Sequence, residues 1–223
     1  MAEEHKKPQE GGETKRSNKK FVDVVEVRKV EDLLEAVQKR TPVIKLMQGV
    51  YNLKGKYLSL RSAMNIVGDP EVSRDKIVII GGIMIGSRCK EPCHLQNLTV
   101  CENNTSNNRR NNRRNNKREG LGALQRTLNN IKGGSRGVFG RSSFTMENVI
   151  VKQWEIGIYV ERAKDADVNC KFTNVKVFEC VNGVCVKDAS VIFSDCTMES
   201  CGVGMGATGT MGMDTSVEFI GTN

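Results

Sequence analysis

The C-terminal third of this 223-residue chain repeats itself, and that repetition narrows the folds open to it more than any other feature. Three segments fall into register: Asn148-VIVKQWEI-Gly157-IYV, Asn174-VKVFECVN-Gly183-VCV and Asp195-CTMESCGV-Gly204-MGA. Each opens on a short polar residue, sets an apolar residue three places on (Val151, Val177, Met198) and a glycine nine places on. Trp154, Cys180 and Cys201 share a column, as do Ile158, Val184 and Met205, while Phe144, Phe172 and Phe193 lie upstream at similar offsets. All of these read as inward positions. The spacing is 26 residues from Asn148 to Asn174 and 21 from Asn174 to Asp195, with the variation in the connecting turns.

A unit this short, made of small strands, has no hydrogen-bonding partner of its own and must stack. Stacking at the ordinary strand spacing of about 4.8 Å puts like residues on like, which accounts for the columns. The expected fold class is therefore all-β, a right-handed parallel β-helix. The glycine column (Gly157, Gly183, Gly204) reads as a turn that bends sharply or needs positive φ. The asparagine column reads as a ladder. Asn148 and Asn174 can donate to the coil below and accept from the coil above, satisfying polar groups that would otherwise cost about 1 to 3 kcal/mol each. Asn97 opens an earlier coil by the same reading.

The N-terminal half fits the same plan. Val30, Leu33, Leu34 and Val37 recur at helical spacing, followed by the strand-like Val43 to Met47 and by short strands around Tyr51, Tyr57 to Leu60, Asn65 to Gly68 and Ile77 to Ile80. The run EDLLEAVQKR-TPVIKLMQGVYNLKGKYLSLRSAMNIVGD resembles the start of proteins of the pectin lyase-like superfamily, in which a capping helix precedes the first coil. The resemblance covers roughly residues 21 to 101 and 142 to 221, and it implies a β-helix with a short N-terminal capping helix.

Domain organisation follows. Residues 1–20 mix both charges without an apolar run and read as a disordered tail. Residues 21–223 form one β-helix domain, interrupted at 102–141 by a basic Asn/Arg-rich insertion. Six of the eight net positive charges belong to Arg109, Arg110, Arg113, Arg114, Lys117 and Arg118, so the folded body is nearly neutral. That cluster is the candidate binding element for a polyanion, through nonspecific electrostatics. No aromatic residue is interleaved to stack on bases. Within the insertion Leu121, Leu124, Leu128 and Ile131 have helical spacing.

The tail does not have the pattern of a secretory leader, and no stretch reaches the roughly 20 apolar residues needed to cross a bilayer, so the expected location is intracellular, cytoplasmic or nuclear. Eight cysteines then read as reduced thiols. The sequons at Asn97, Asn103 and Asn104 carry no meaning without a secretory route.

The chemistry is thin. Lyases, epimerases and esterases of the resembled superfamily work on an exposed sheet face, with aspartates that hold Ca²⁺ or act as acids and with basic residues that stabilise carboxylate charge. The catalytic candidates implied here are Asp165, Asp167, Lys152, Lys176 and Glu199. The paired aspartates of the esterase branch have no counterpart. Cys89, Cys93, His94 and Cys101 have zinc-ligand residue types without the usual spacing, so no metal site is expected. His5 and His94 are the only histidines, and neither lies in a nucleophile motif. The Gly/Met-rich stretch from Gly202 to Asp214 lacks the Lys-Ser/Thr end of a phosphate loop. After the last strand no capping helix follows, which points to a fragment or to an edge covered by a partner or second copy.

The leading reading is a noncatalytic β-helix binding or scaffold module that contacts glycan or protein through its sheet faces, with no cofactor. The alternatives are a carbohydrate-active enzyme on an acidic glycan, with Ca²⁺ as its cofactor, and a structural subunit of a larger assembly.

Overall fold

The computed structural model describes residues 23–102, 135–163, 167–210 and 215–221. The basic cluster, the Leu121 to Ile131 repeat, the N-terminal tail and Asp165 lie outside them.

Every strand pairing among the described residues is parallel, and the strands stack into three faces of a right-handed β-helix. The first face runs β1 (Val24–Val27), β2 (Val43–Leu46), β4 (Asn65–Gly68), the first half of β6 (Cys93–Cys101), the first half of β8 (Phe144–Lys152), β10 (Asn169–Thr173), β13 (Ser190–Ser194) and β16 (Ser216–Ile220). The second face takes the first halves of β3 (Gly49–Leu60) and β5 (Ile77–Ile85), the second halves of β6 and β8, then β11 (Lys176–Phe178) and β14 (Thr197–Glu199). The third takes the second halves of β3 and β5, then β7 (Arg136–Gly140), β9 (Ile156–Glu161), β12 (Asn182–Lys187) and β15 (Val203–Thr208). The helix α1 (Val30–Gln38) closes the N-terminal end, with Leu33 and Ala36 buried and Leu34 turned outward.

The core is the set of stacked columns. On the second face the column Tyr51, Ile79, Val100, Val151, Val177 and Met198 is in register from coil to coil, and its first five members are at most 2% exposed. Each such side chain contributes about 1.5 to 3 kcal/mol of burial free energy. Tyr51 keeps its hydroxyl satisfied between the Val27 and Met47 carbonyl oxygens, at 2.7 and 2.9 Å. On the third face Ile158, Val184 and Met205 align as expected. The phenylalanines differ from the plain column. Phe172, Phe193 and Phe219 are in register, but the partner of Phe172 in the coil before is Met146, with Phe144 two residues upstream of it. The rings still touch, with centroids 5.3 Å apart for Phe144 and Phe172, 5.3 Å for Phe172 and Phe193 and 5.1 Å for Phe193 and Phe219.

The first corner of each coil carries the asparagine ladder. Asn97, Asn148, Asn174 and Asp195 have φ between 51° and 53°, the left-handed conformation that Asn and Asp tolerate best among residues with a Cβ. Asn97 Nδ2 donates to the Asp69 and Val72 carbonyls (2.7 and 2.9 Å), Asn148 Nδ2 donates to Asn97 Oδ1 (2.6 Å), and Asn174 Nδ2 donates to Asn148 Oδ1 (3.1 Å). One side chain therefore fixes the corner twice, through its backbone preference and through its amide.

The glycine column corrects the expectation of positive φ. Gly157, Gly183 and Gly204 lie outside the left-handed region, which at the second corner is taken by Gln153, Glu179 and Ser200. What excludes a side chain is close approach between coils. A Cβ on Gly137 would lie 2.6 Å from the Gly157 carbonyl oxygen, and one on Gly157 2.6 Å from that of Gly183. Gly137 thus belongs to the same column.

All eight cysteines are free thiols, six of them buried. Asn97 and Thr99 of the first sequon are 8% and 2% exposed, locked into the corner.

Candidate functional site

Three of the candidate residues converge on the outer surface of the second face. Strand alternation sends Val177 inward and therefore Lys176 and Phe178 outward. Register then sets Lys152 directly below Phe178 and Glu199 directly above it. The Lys176 ammonium pairs with the Glu199 carboxylate at 2.8 Å. Lys152 Nζ and Lys176 Nζ each lie 5.6 Å from the centre of the Phe178 ring, inside the range of a cation–π contact. Phe178 is half-buried on a flat sheet, with two ammonium groups over its ring.

The surroundings extend this patch. The 3₁₀ turn Arg74–Lys76 folds over the lower coils of the second face, where Thr99 Oγ1 donates to the Arg74 carbonyl at 2.8 Å. Arg74 reaches up to donate to the Asn174 carbonyl at 2.8 Å, and the desolvation that accompanies this lowers its pKa. Asp75 is held below the usual carboxylate range by the Ser73 hydroxyl first, then by its own backbone, with Lys76 and Lys152 adding attraction. On the far side Gln153 Nε2 donates to Glu179 Oε2 at 2.9 Å. The Lys176–Glu199 pair is partly exposed, 35% and 53%, so it contributes at most about 1 kcal/mol to stability. It is open to exchange for another carboxylate.

Asp167 does not join them. It sits at the turn that leads into the first face, paired with Arg162 at 2.9 Å, a different side of the coil from Lys152, Lys176 and Glu199. The zinc-type residues are separated as well, because Cys93 points inward and its neighbour His94 outward. Among the described residues no group of three or more His, Cys, Asp or Glu is placed to hold a metal ion. His94 lies on the outer first face with Nδ1 2.6 Å from Thr145 Oγ1 and Nε2 4.0 Å from Glu147.

Sequence reasoning missed Phe178. It has Lys152 and Glu199 in the equivalent positions of the neighbouring coils, so no column singles it out. The available signal was the alternation within K-V-F, which turns an aromatic ring out of the core.

No protein family and no curated protein matches this chain. Among solved structures it superposes on the catalytic domain of a GH87 alpha-1,3-glucanase in complex with tetrasaccharides, with TM-score 0.54 and 14% identity over 85% of this chain and 31% of that one. It also superposes on pectin methylesterase PemA from Erwinia chrysanthemi, with TM-score 0.41 and 13% identity over 71% of this chain and 49% of that one. The chain thus spans about a third of the glucanase domain and half of the esterase. The glucanase likeness is one of fold: the chain is a right-handed parallel β-helix.

Proposed function

We propose that this chain is a noncatalytic glycan-binding module whose recognition surface is the outer side of the second face, and that its preferred ligand is an acidic glycan. The observation that carries this reading is the Phe178 ring flanked by Lys152 and Lys176. An aromatic ring on a flat surface packs against the apolar face of a sugar, while a lysine ammonium beside it pairs with a carboxylate on the same sugar. Coils about 4.8 Å apart offer equivalent positions along the solenoid axis, so an extended chain meets Lys152, Phe178 and then Glu199 in succession, with Lys176 two residues from Phe178 on the same strand. The carbohydrate complex of the glucanase with which the chain shares its fold is in keeping with this reading.

Calorimetric titration with oligogalacturonate, alginate and a neutral glucan tests it. Binding of an acidic oligomer that weakens as salt is raised and is lost in Phe178→Ala is expected. Equal binding of neutral and acidic oligomers, or an unchanged affinity in Phe178→Ala, refutes it. Accumulation of an unsaturated, ultraviolet-absorbing product during the titration replaces the binding reading with a lyase.

A further inference from the structure

Two thiols lie where the corner that follows β5 leads into β6, Cys89 in the turn and Cys93 at the first residue of the strand, and neither belongs to the aromatic patch. The turn after Ile85 closes with the Cys89 amide donating to the Gly86 carbonyl at 3.3 Å. Both thiols then turn toward the coil below. Cys89 Sγ donates to the Leu60 carbonyl at 3.6 Å and Cys93 Sγ to the Ser62 carbonyl at 3.4 Å. Those acceptors are two residues apart on one segment, which brings the two thiols into the same neighbourhood.

Their surroundings differ. Cys93 is fully buried, whereas Cys89 forms part of the wall of a surface cavity of about 510 Å³ with Arg88, Lys90, Ser142, Ser143 and Asp167. That cavity is the route by which a small solute reaches Cys89.

We infer that Cys89 and Cys93 are a redox pair, in which Cys89 meets a peroxide and Cys93 resolves the product into an intramolecular disulfide. In the first step the Cys89 sulfur attacks one oxygen of hydrogen peroxide. The O–O bond breaks, Cys89 becomes a sulfenic acid and one water leaves. In the second step the Cys93 sulfur attacks the Cys89 sulfur. The S–S bond forms, the S–O bond breaks, and the displaced hydroxide leaves as a second water with the Cys93 proton. The peroxide gains the two electrons that the two thiols lose. Both thiols face the same short segment of the coil below, which favours a bridge between them over one to a more distant cysteine.

The test is peptide mapping of the full chain after brief treatment with hydrogen peroxide and alkylation of the remaining thiols. Trypsin cuts after Lys90 and next after Arg109, so a Cys89–Cys93 bridge appears as two peptides joined by a bond that dithiothreitol releases, and fragment spectra separate Cys93 from Cys101 within the longer peptide. Cys196 and Cys201 are more open than the pair, so it is the linkage and not thiol loss that reports on it. In Cys93→Ser the Cys89 sulfenic acid persists and is trapped by dimedone several-fold more than in the parent chain. Oxidised protein whose two peptides stay unlinked, a bridge from Cys89 to any other cysteine, or equal dimedone trapping in the parent and the variant overturns the inference. The linkage in the parent chain decides the matter if Cys93→Ser does not fold.

Discussion

Replacing Asn148 by alanine removes the middle rung of the corner ladder, and its cost follows from two separate losses. The first is the amide. Asn148 donates to Asn97 Oδ1 at 2.6 Å and accepts from Asn174 Nδ2 at 3.1 Å. Asn97 is 8% exposed, so its oxygen is stranded, whereas the Asn174 amide rehydrates at the surface. That part costs about 1 to 2 kcal/mol. The second is the backbone. Asn148 sits at φ 53°, where alanine costs a further 1 to 2 kcal/mol or so. The total is about 2 to 4 kcal/mol, which for a chain of this length lowers the thermal midpoint by roughly 5 to 15 °C. Asn148→Gly isolates the terms, because glycine keeps the left-handed corner and loses only the amide, about 1 to 2 kcal/mol. The assay is urea and thermal unfolding followed by far-ultraviolet circular dichroism. A midpoint for Asn148→Ala within 1 °C of the parent chain refutes the ladder, and equal losses in the alanine and glycine variants refute the backbone term.

Two glycine substitutions are expected to part company. Gly157→Ala drives a Cβ to 2.6 Å from a backbone carbonyl and destabilises by about 1 to 3 kcal/mol in denaturant titration, while Gly204→Ala, with nothing within 4 Å, changes stability by less than about 1 kcal/mol. Stability also falls in alkali. Burial pushes the Cys170 thiol up to about 12 and the Cys185 thiol to about 11, from an ordinary value of 9.0. Above pH 9 the unfolded chain loses protons that the folded chain keeps, so the stabilisation present below that pH declines toward pH 11 to 12, by roughly 1 to 3 kcal/mol per pH unit for the two thiols together. Urea midpoints measured from pH 8 to 11 test this, and Cys170→Ala is expected to flatten the slope.

What was legible in the sequence is what parallel stacking repeats. Val151, Val177 and Met198, and the Asn148 to Asn174 ladder, recur at fixed offsets because in-register coils give equivalent positions the same surroundings. Positions whose surroundings change from coil to coil were not legible. Phe178 stands between a lysine and a glutamate, and Phe144 is displaced from the phenylalanine column because the turns differ in length. The glycines were visible but ambiguous, since close approach and positive φ both select glycine. The left-handed second corner went instead to Gln153, Glu179 and Ser200, which share no side-chain chemistry. Outward alternation brought Lys152, Lys176 and Glu199 onto one face. Asp167 lay on a turn whose path no periodicity specifies.

The stacking of coils is tested most directly by methyl contacts in solution. Nuclear Overhauser spectra of methyl-labelled protein are expected to show cross-peaks between Val100 and Val151, Val151 and Val177, and Val177 and Met198, with none between Val100 and Val177. Absence of the Val151–Val177 cross-peak, or contact between Val100 and Met198, contradicts a solenoid in which these four side chains occupy one interior line.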